Sequence, residues 1–125
     1  VTNIAARNKR AGARWQADLR KGFRAEGFDI EELKLAGQRD EGDLVIRQYT
    51  GGPVGEYIVI EAKAGEMRPA QFVKEARIEA EHFRKHRDIG PELVRGIAIV
   101  KRRGANWKDA YVLTTVRDYF ELGDS

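Results

Sequence analysis

The segment running from residue 43 to residue 63 constrains the fold most. Two runs rich in Val, Ile and Tyr, Asp43 to Tyr49 and Tyr57 to Lys63, flank Thr50-Gly51-Gly52-Pro53-Val54-Gly55. β-branched and aromatic residues favour strands, and Gly-Gly-Pro between two such runs is turn chemistry. The segment therefore reads as a β-hairpin. If its turn is centred near Gly52, Asp43 lies opposite Glu61. Side chains alternate between the faces of a strand. Glu61 and Lys63 then share one face with Tyr57 and Val59, and Ile58, Ile60 and Ala62 take the other. The run Tyr57 to Ile60 reads as buried on both faces.

The rest of the chain supplies layers for this hairpin. From about Lys9 to Glu26 the pattern is helical: Ala11, Trp15, Leu19 and Phe23 form one stripe, and Gly27 is the stop. Residues 1–8 read as a flexible tail. Phe28 to Leu35 reads as a strand and Ala36 to Gly42 as a polar loop. Pro69 opens a second helix that runs on from Gln71 to His86, with Phe72, Ala76, Ala80 and Phe83 as its apolar stripe. Gly90-Pro91 breaks it. Leu93 to Val100 and Ala110 to Thr114 are further strands. Val116 to Leu122 is a short closing helix whose Thr115 and Asp118 have capping-box spacing. The order α-β-β-β-α-β-β-α predicts one α/β domain over residues 1–125, a mixed sheet flanked by helices.

Several functions are excluded or disfavoured by composition. The chain has no cysteine, so thiol catalysis and cysteine-based zinc sites are out. No apolar run nears the roughly 20 residues that span a bilayer, and Val1 to Arg10 is polar and basic, unlike a secretory signal. The expectation is a soluble, cytoplasmic protein without membrane contact. The net charge is only +3. Its distribution says more: Arg7, Lys9, Arg10, Arg14, Arg20, Lys21 and Arg24 crowd the start, and Lys101, Arg102, Arg103 and Lys108 form a second cluster. Such clusters attract polyanions, nucleic acid above all. They equally suit the solvated faces of an arginine-rich protein.

The shared hairpin face carries the chemistry. Asp43, Glu61 and Lys63 put two carboxylates and an ammonium side by side. Mg²⁺ takes one or two carboxylates together with phosphate and water. A lysine beside it orients a water and stabilises charge on a phosphate. The alternative is a cross-strand ion pair on a solvated sheet, but burying such charges without a purpose is costly.

Gly12-Ala13 with Leu19, Gly27-Phe28, Ala36-Gly37, Gly42-Asp43-Leu44-Val45, Val59-Ile60-Glu61-Ala62-Lys63, Ile97-Ala98-Ile99-Val100-Lys101 and Tyr111-Val112 carry a family resemblance. From Arg10 to Thr114 the chain resembles the archaeal-type Holliday junction resolvases and their phage relatives, within the PD-(D/E)XK nuclease superfamily. The resemblance implies a restriction-endonuclease-like fold and a homodimer that nicks opposed strands of four-way DNA with Mg²⁺, Mn²⁺ substituting. It implies metal ligation by Asp43 and Glu61 and a catalytic role for Lys63. One position departs: Gln16 stands where the family carries a glutamate on the first helix, and Asp18 lies two residues on. These two are about 200° apart on a helix, so one does not simply replace the other. Both are candidate catalytic residues. Arg10, Arg14, Lys101, Arg102 and Arg103 are the candidate DNA contacts.

Two rivals stand beside the resolvase: a superfamily nuclease of flap, nicking or restriction type, and a DNA-binding module whose nuclease site has decayed. Other residues carry weaker signals. His82 and His86 have the spacing of two metal ligands on a helix but lack a third, and read as solvent-facing. Asp40 and Glu41 read as ordinary turn acids. Gln71 and Glu75 read as solvated helix positions, with phosphate or water contact as the alternative. Trp107 reads as a stacking platform for bases or as core. Ile97 to Val100, Tyr119 and Phe120 read as core first and dimer interface second.

Overall fold

The computed structural model describes residues 4–33, 43–48 and 56–123. Five strands, β1 (Asp29–Glu32), β2 (Leu44–Gln48), β3 (Glu56–Lys63), β4 (Val94–Val100) and β5 (Tyr111–Leu113), form one sheet in that spatial order. β3 and β4 are parallel and the other pairs antiparallel, so the sheet is mixed. Parallel neighbours need a crossover. Helix α2 (Pro69–His86) supplies it, and α1 (Ile4–Ala25) covers the opposite face. A short helix, α3 (Val116–Tyr119), follows β5.

Alternation along the strands sorts the two layers. Ile30, Leu44, Ile46, Ile60 and Ile99 are buried together with Trp15 and Leu19 of α1. Val45, Val59 and Val94 face Ala80 and Phe83 of α2, and Ala98 and Val100 face its Phe72 and Ala76. The expected α2 stripe is buried throughout, whereas on α1 Trp15 and Leu19 are buried, Phe23 is partly buried against them and Ala11 is only half-buried. α2 lies very close to the sheet at Gly96: a Cβ there would stand 2.8 Å from the Ala76 carbonyl carbon and 2.9 Å from Ala80 Cβ.

α1 ends where Gly27 was expected to end it. Gly27 adopts φ +91, Phe28 N–H donates to Phe23 O and Gly27 N–H to Arg24 O. That is a Schellman cap, for which glycine is the favoured residue. The start differs. Residues 4–8 continue α1 instead of forming part of a tail, because Ala5, Ala6 and Arg7 are strong helix formers with no breaker among them. α2 also ends by a left-handed residue, Asp88 at φ 53, before the Gly90-Pro91 break is reached.

One expectation at the far edge holds and one needs correction. Ile97 to Val100, the end of β4 between β3 and β5, lies in the core as first read. Tyr119 and Phe120 are 66% and 64% exposed, so they are not core. α3 is only four residues long and leaves them on the surface with Val116 and Leu122. Its cap is as expected: the Thr115 side chain accepts from Asp118 N–H. The Ala36–Gly42 loop with Asp40 and Glu41, and the Thr50–Gly55 turn, lie outside the described residues. No helix among the described residues is long and apolar enough to cross a membrane.

Candidate active site

The β2–β3 ladder pairs Leu44 with Ile60 as its last step. One residue further, Asp43 stands against Glu61, the register expected from a turn centred at Gly52. The strand backbone holds Asp43 in place: its N–H donates to Ile60 O at 3.0 Å, and its Oδ2 accepts from Ala62 N–H at 2.8 Å. Glu61 is 9% exposed, a buried carboxylate on the α2 side of the sheet.

Lys63 leaves β3 on the same side. Its Nζ lies 3.5 Å from Glu61 Oε1, forms a short ion pair with Glu75 Oε2 of α2, and sits 5.2 Å from the centroid of the Phe72 ring. Burial pushes the Lys63 pKa down, but the hydrogen bond with Glu75 and the charges of Glu61 and Glu75 outweigh it, leaving the pKa above the usual lysine value. For Glu75, burial pushes up, while hydrogen bonds from Lys63 and Gln71 and the charge of Lys63 bring the carboxyl below the usual glutamate value. Lys63 is therefore a cation, and Glu75 an anion, at neutral pH. Lys63 links Glu61 and Glu75 in one group, and Asp43 lies at the same end of the hairpin, tied to β3 at Ile60 and Ala62. Two carboxylates there fit Mg²⁺, which keeps waters and accepts phosphate oxygens. Among the described residues no cluster of three or more His, Asp or Glu side chains is placed to cage a metal.

The first helix meets this group from the other face. Gln16 Nε2 donates to Glu32 Oε1 at 3.0 Å and to the Asp43 carbonyl oxygen at 3.4 Å. Gln16 thus touches the Asp43 backbone and does not join the Glu61–Lys63 group. Asp18 is exposed on the same helix. A carboxylate at position 16 would place oxygens against the oxygens of Glu32 and Asp43, which is repulsive without a cation and a ligand set with one. Gln16→Glu should therefore lower the melting temperature in EDTA by a few degrees, with millimolar Mg²⁺ restoring it. Asp18→Asn should leave both melts unchanged. Equal melts of Gln16→Glu with and without Mg²⁺ would remove α1 from metal binding.

The basic residues gather at this end. Arg24 donates to Ile30 O, Arg20 pairs with Glu32 at 4.0 Å, and Gln16 meets Asp43, so each step toward the α1 N-terminus approaches the Asp43–Glu61 end of the sheet. Arg10 lies about 9 Å beyond Gln16 along the helix axis, at 1.5 Å per residue. Arg10 and Arg14 are exposed. Lys101 follows β4, and its N–H donates to Lys63 O at 2.9 Å. Exposed Lys101, Arg102 and Arg103 thus emerge beside Lys63. Arg102 also donates to Asp109 O and lies over the Tyr111 ring.

Two weaker signals have structural places. Trp107 packs edge-on against Phe23 at 5.0 Å and is partly buried beside the α1 core. His82 and His86 stack on each other at 6.4 Å. Glu75 is the residue that sequence reasoning undervalued. It neighbours Ala76 of the buried stripe and lies four residues from Gln71, a spacing that puts both on the sheet-facing flank of α2. No family model, curated protein or solved structure matches this chain.

Proposed function

We propose that this protein is a Mg²⁺-dependent DNA endonuclease of the PD-(D/E)XK kind with a restriction-endonuclease-like core, acting on branched DNA and most specifically on four-way junctions. The observation that supports this reading is that the Glu61–Lys63 ion pair and Asp43 share one end of the β2–β3 hairpin, where exposed Lys101 leaves β4 beside the Lys63 backbone. Asp43 and Glu61 would hold the cation. Bound there, Mg²⁺ supplies Lewis-acid polarisation of the phosphodiester and charge neutralisation. Lys63 donates to a phosphoryl oxygen or orients the attacking water, and its positive charge stabilises the extra negative charge of the transition state. Arg10, Arg14 and the Lys101–Arg103 loop bind the phosphate backbone.

Cutting two opposed strands of a two-fold junction calls for two such sites. A C2 homodimer provides them, and the exposed apolar side chains of Val112, Val116, Tyr119 and Phe120 are suitable interface material. One observation favours the rival of a DNA-binding module with a silent site: Gln16, an amide where the resembled family has an acid.

The deciding experiment is cleavage of four-way, flap and linear duplex DNA with Mg²⁺, Mn²⁺ or EDTA. Metal-dependent nicking of the junction supports the proposal. Cleavage of flap or linear DNA alone transfers it to a nuclease of other specificity, and binding without cleavage of any substrate leaves the DNA-binding module. Affinity should fall steeply with salt, because phosphate contacts release counterions. Replacing both Arg102 and Arg103 by Ala should weaken binding to all sequences alike and make the log–log salt slope shallower by about two. An unchanged slope would place the DNA surface elsewhere.

A further inference from the structure

We propose that Glu75 is a positioning residue for Lys63, holding its ammonium at the site once Glu61 is engaged by a cation. This rests on the nuclease reading of Asp43, Glu61 and Lys63. Glu61 alone is a poor anchor for the lysine, because the carboxylate that attracts Lys63 is the one that a divalent cation would claim. A cation on Glu61 weakens that attraction and repels the ammonium. A second carboxylate, held by a different element, resolves the conflict.

Glu75 has that geometry. It lies on α2, across from the strand, and its Oε2 forms a short ion pair with Lys63 Nζ. Its other oxygen, Oε1, accepts from Gln71 Nε2 at 2.9 Å, one turn earlier on the same helix. With both oxygens engaged, the carboxylate has one favoured orientation. Phe72 lies beneath the lysine, 5.2 Å from Nζ, and limits the other directions. An ammonium has three donors. Glu75 takes one direction, and with Glu61 given to the cation the others remain for a phosphoryl oxygen or the attacking water. The closeness of α2 to the sheet at Gly96 lets a glutamate span the gap.

Glu75→Gln keeps the shape and removes the charge. It should lower kcat roughly ten- to a hundredfold, the scale of a misplaced catalytic group, with KM for DNA and the thermal melt unchanged. In a Lys63→Ala background the same substitution should cost nothing further, because its effect passes through the lysine. A second readout needs no nuclease activity. In a proton–nitrogen correlation spectrum of lysine ammonium groups, Lys63, identified by its loss in Lys63→Arg, should give a slowly exchanging signal that disappears in Glu75→Gln. If Glu75→Gln fails to fold, Gln71→Ala releases one Glu75 oxygen and should give a smaller loss of kcat and a faster-exchanging signal. An unchanged kcat, or an equal loss with and without Lys63, overturns the proposal. If the wild type cuts no DNA, the nuclease reading fails, and persistence of the Lys63 signal in Glu75→Gln would separately overturn the anchoring role.

Discussion

Asp43→Asn and Glu61→Gln are each expected to lower Mg²⁺-dependent cleavage by about a thousandfold while DNA affinity changes little. Each substitution would remove one of the two anionic donors proposed for the cation, and two are few to begin with. Neither touches the exposed basic residues that would bind phosphates. The fold should also survive. An asparagine at position 43 would retain an oxygen able to accept from Ala62 N–H, the contact that now ties Asp43 to β3. A glutamine at position 61 would keep the volume of a side chain that is 9% exposed. Lys63→Ala should cut cleavage comparably while metal still binds, since both carboxylates remain. Single-turnover cleavage and fluorescence anisotropy on the same junction would separate chemistry from binding. Wild-type cleavage by Asp43→Asn would sink the assignment of this site.

The largest expected effect on stability is at Gly96. Gly96→Ala should destabilise the protein by about 3 kcal/mol, the upper part of the overpacking range. The added methyl would meet the Ala76 carbonyl carbon at 2.8 Å and Ala80 Cβ at 2.9 Å. Backbone atoms of a packed helix cannot rotate away, so α2 must lift from the sheet and strip contacts from Phe72, Ala76, Ala80 and Phe83. Gly12→Ala is the matching control. Nothing lies within 4 Å of a Cβ there, and Gly12 is inside α1, so the change should stabilise by about 1 kcal/mol. Urea unfolding of the two variants should move the midpoint in opposite directions. A neutral Gly96→Ala would mean that the helix rides farther from the sheet than the structure has it.

Local pattern made much of this architecture legible. The two strands around Gly52 have runs of equal length, and that local symmetry alone gives the register in which Leu44 pairs with Ile60 and Asp43 follows toward Glu61. The α2 stripe was legible because four apolar residues recur at helical spacing within a polar segment. What escaped depended on packing between elements distant in sequence. Glu75 reads as a solvated helix acid until α2 is laid on β3, and only then does it face Lys63. Trp107 lies in a polar loop, and its burial depends on Phe23, far earlier in the chain. Tyr119 and Phe120 resemble core residues by hydropathy, but a helix as short as α3 covers too little of the sheet to bury them.

The placement of the two tryptophans has a practical consequence. The chain contains only Trp15 and Trp107. Trp15 is on α1 with its indole N–H donating to Ile99 O at 3.1 Å, and Trp107 rests on Phe23 of the same helix. Both belong to the α1 side of the sheet. Intrinsic emission is therefore a spectroscopic gauge of one seam in the protein, the docking of α1. A red shift that precedes the loss of helical circular dichroism would show the first helix peeling from a still-folded sheet and α2. The same signal followed during DNA titration would report whether the arginine-bearing helix stays seated when DNA is added.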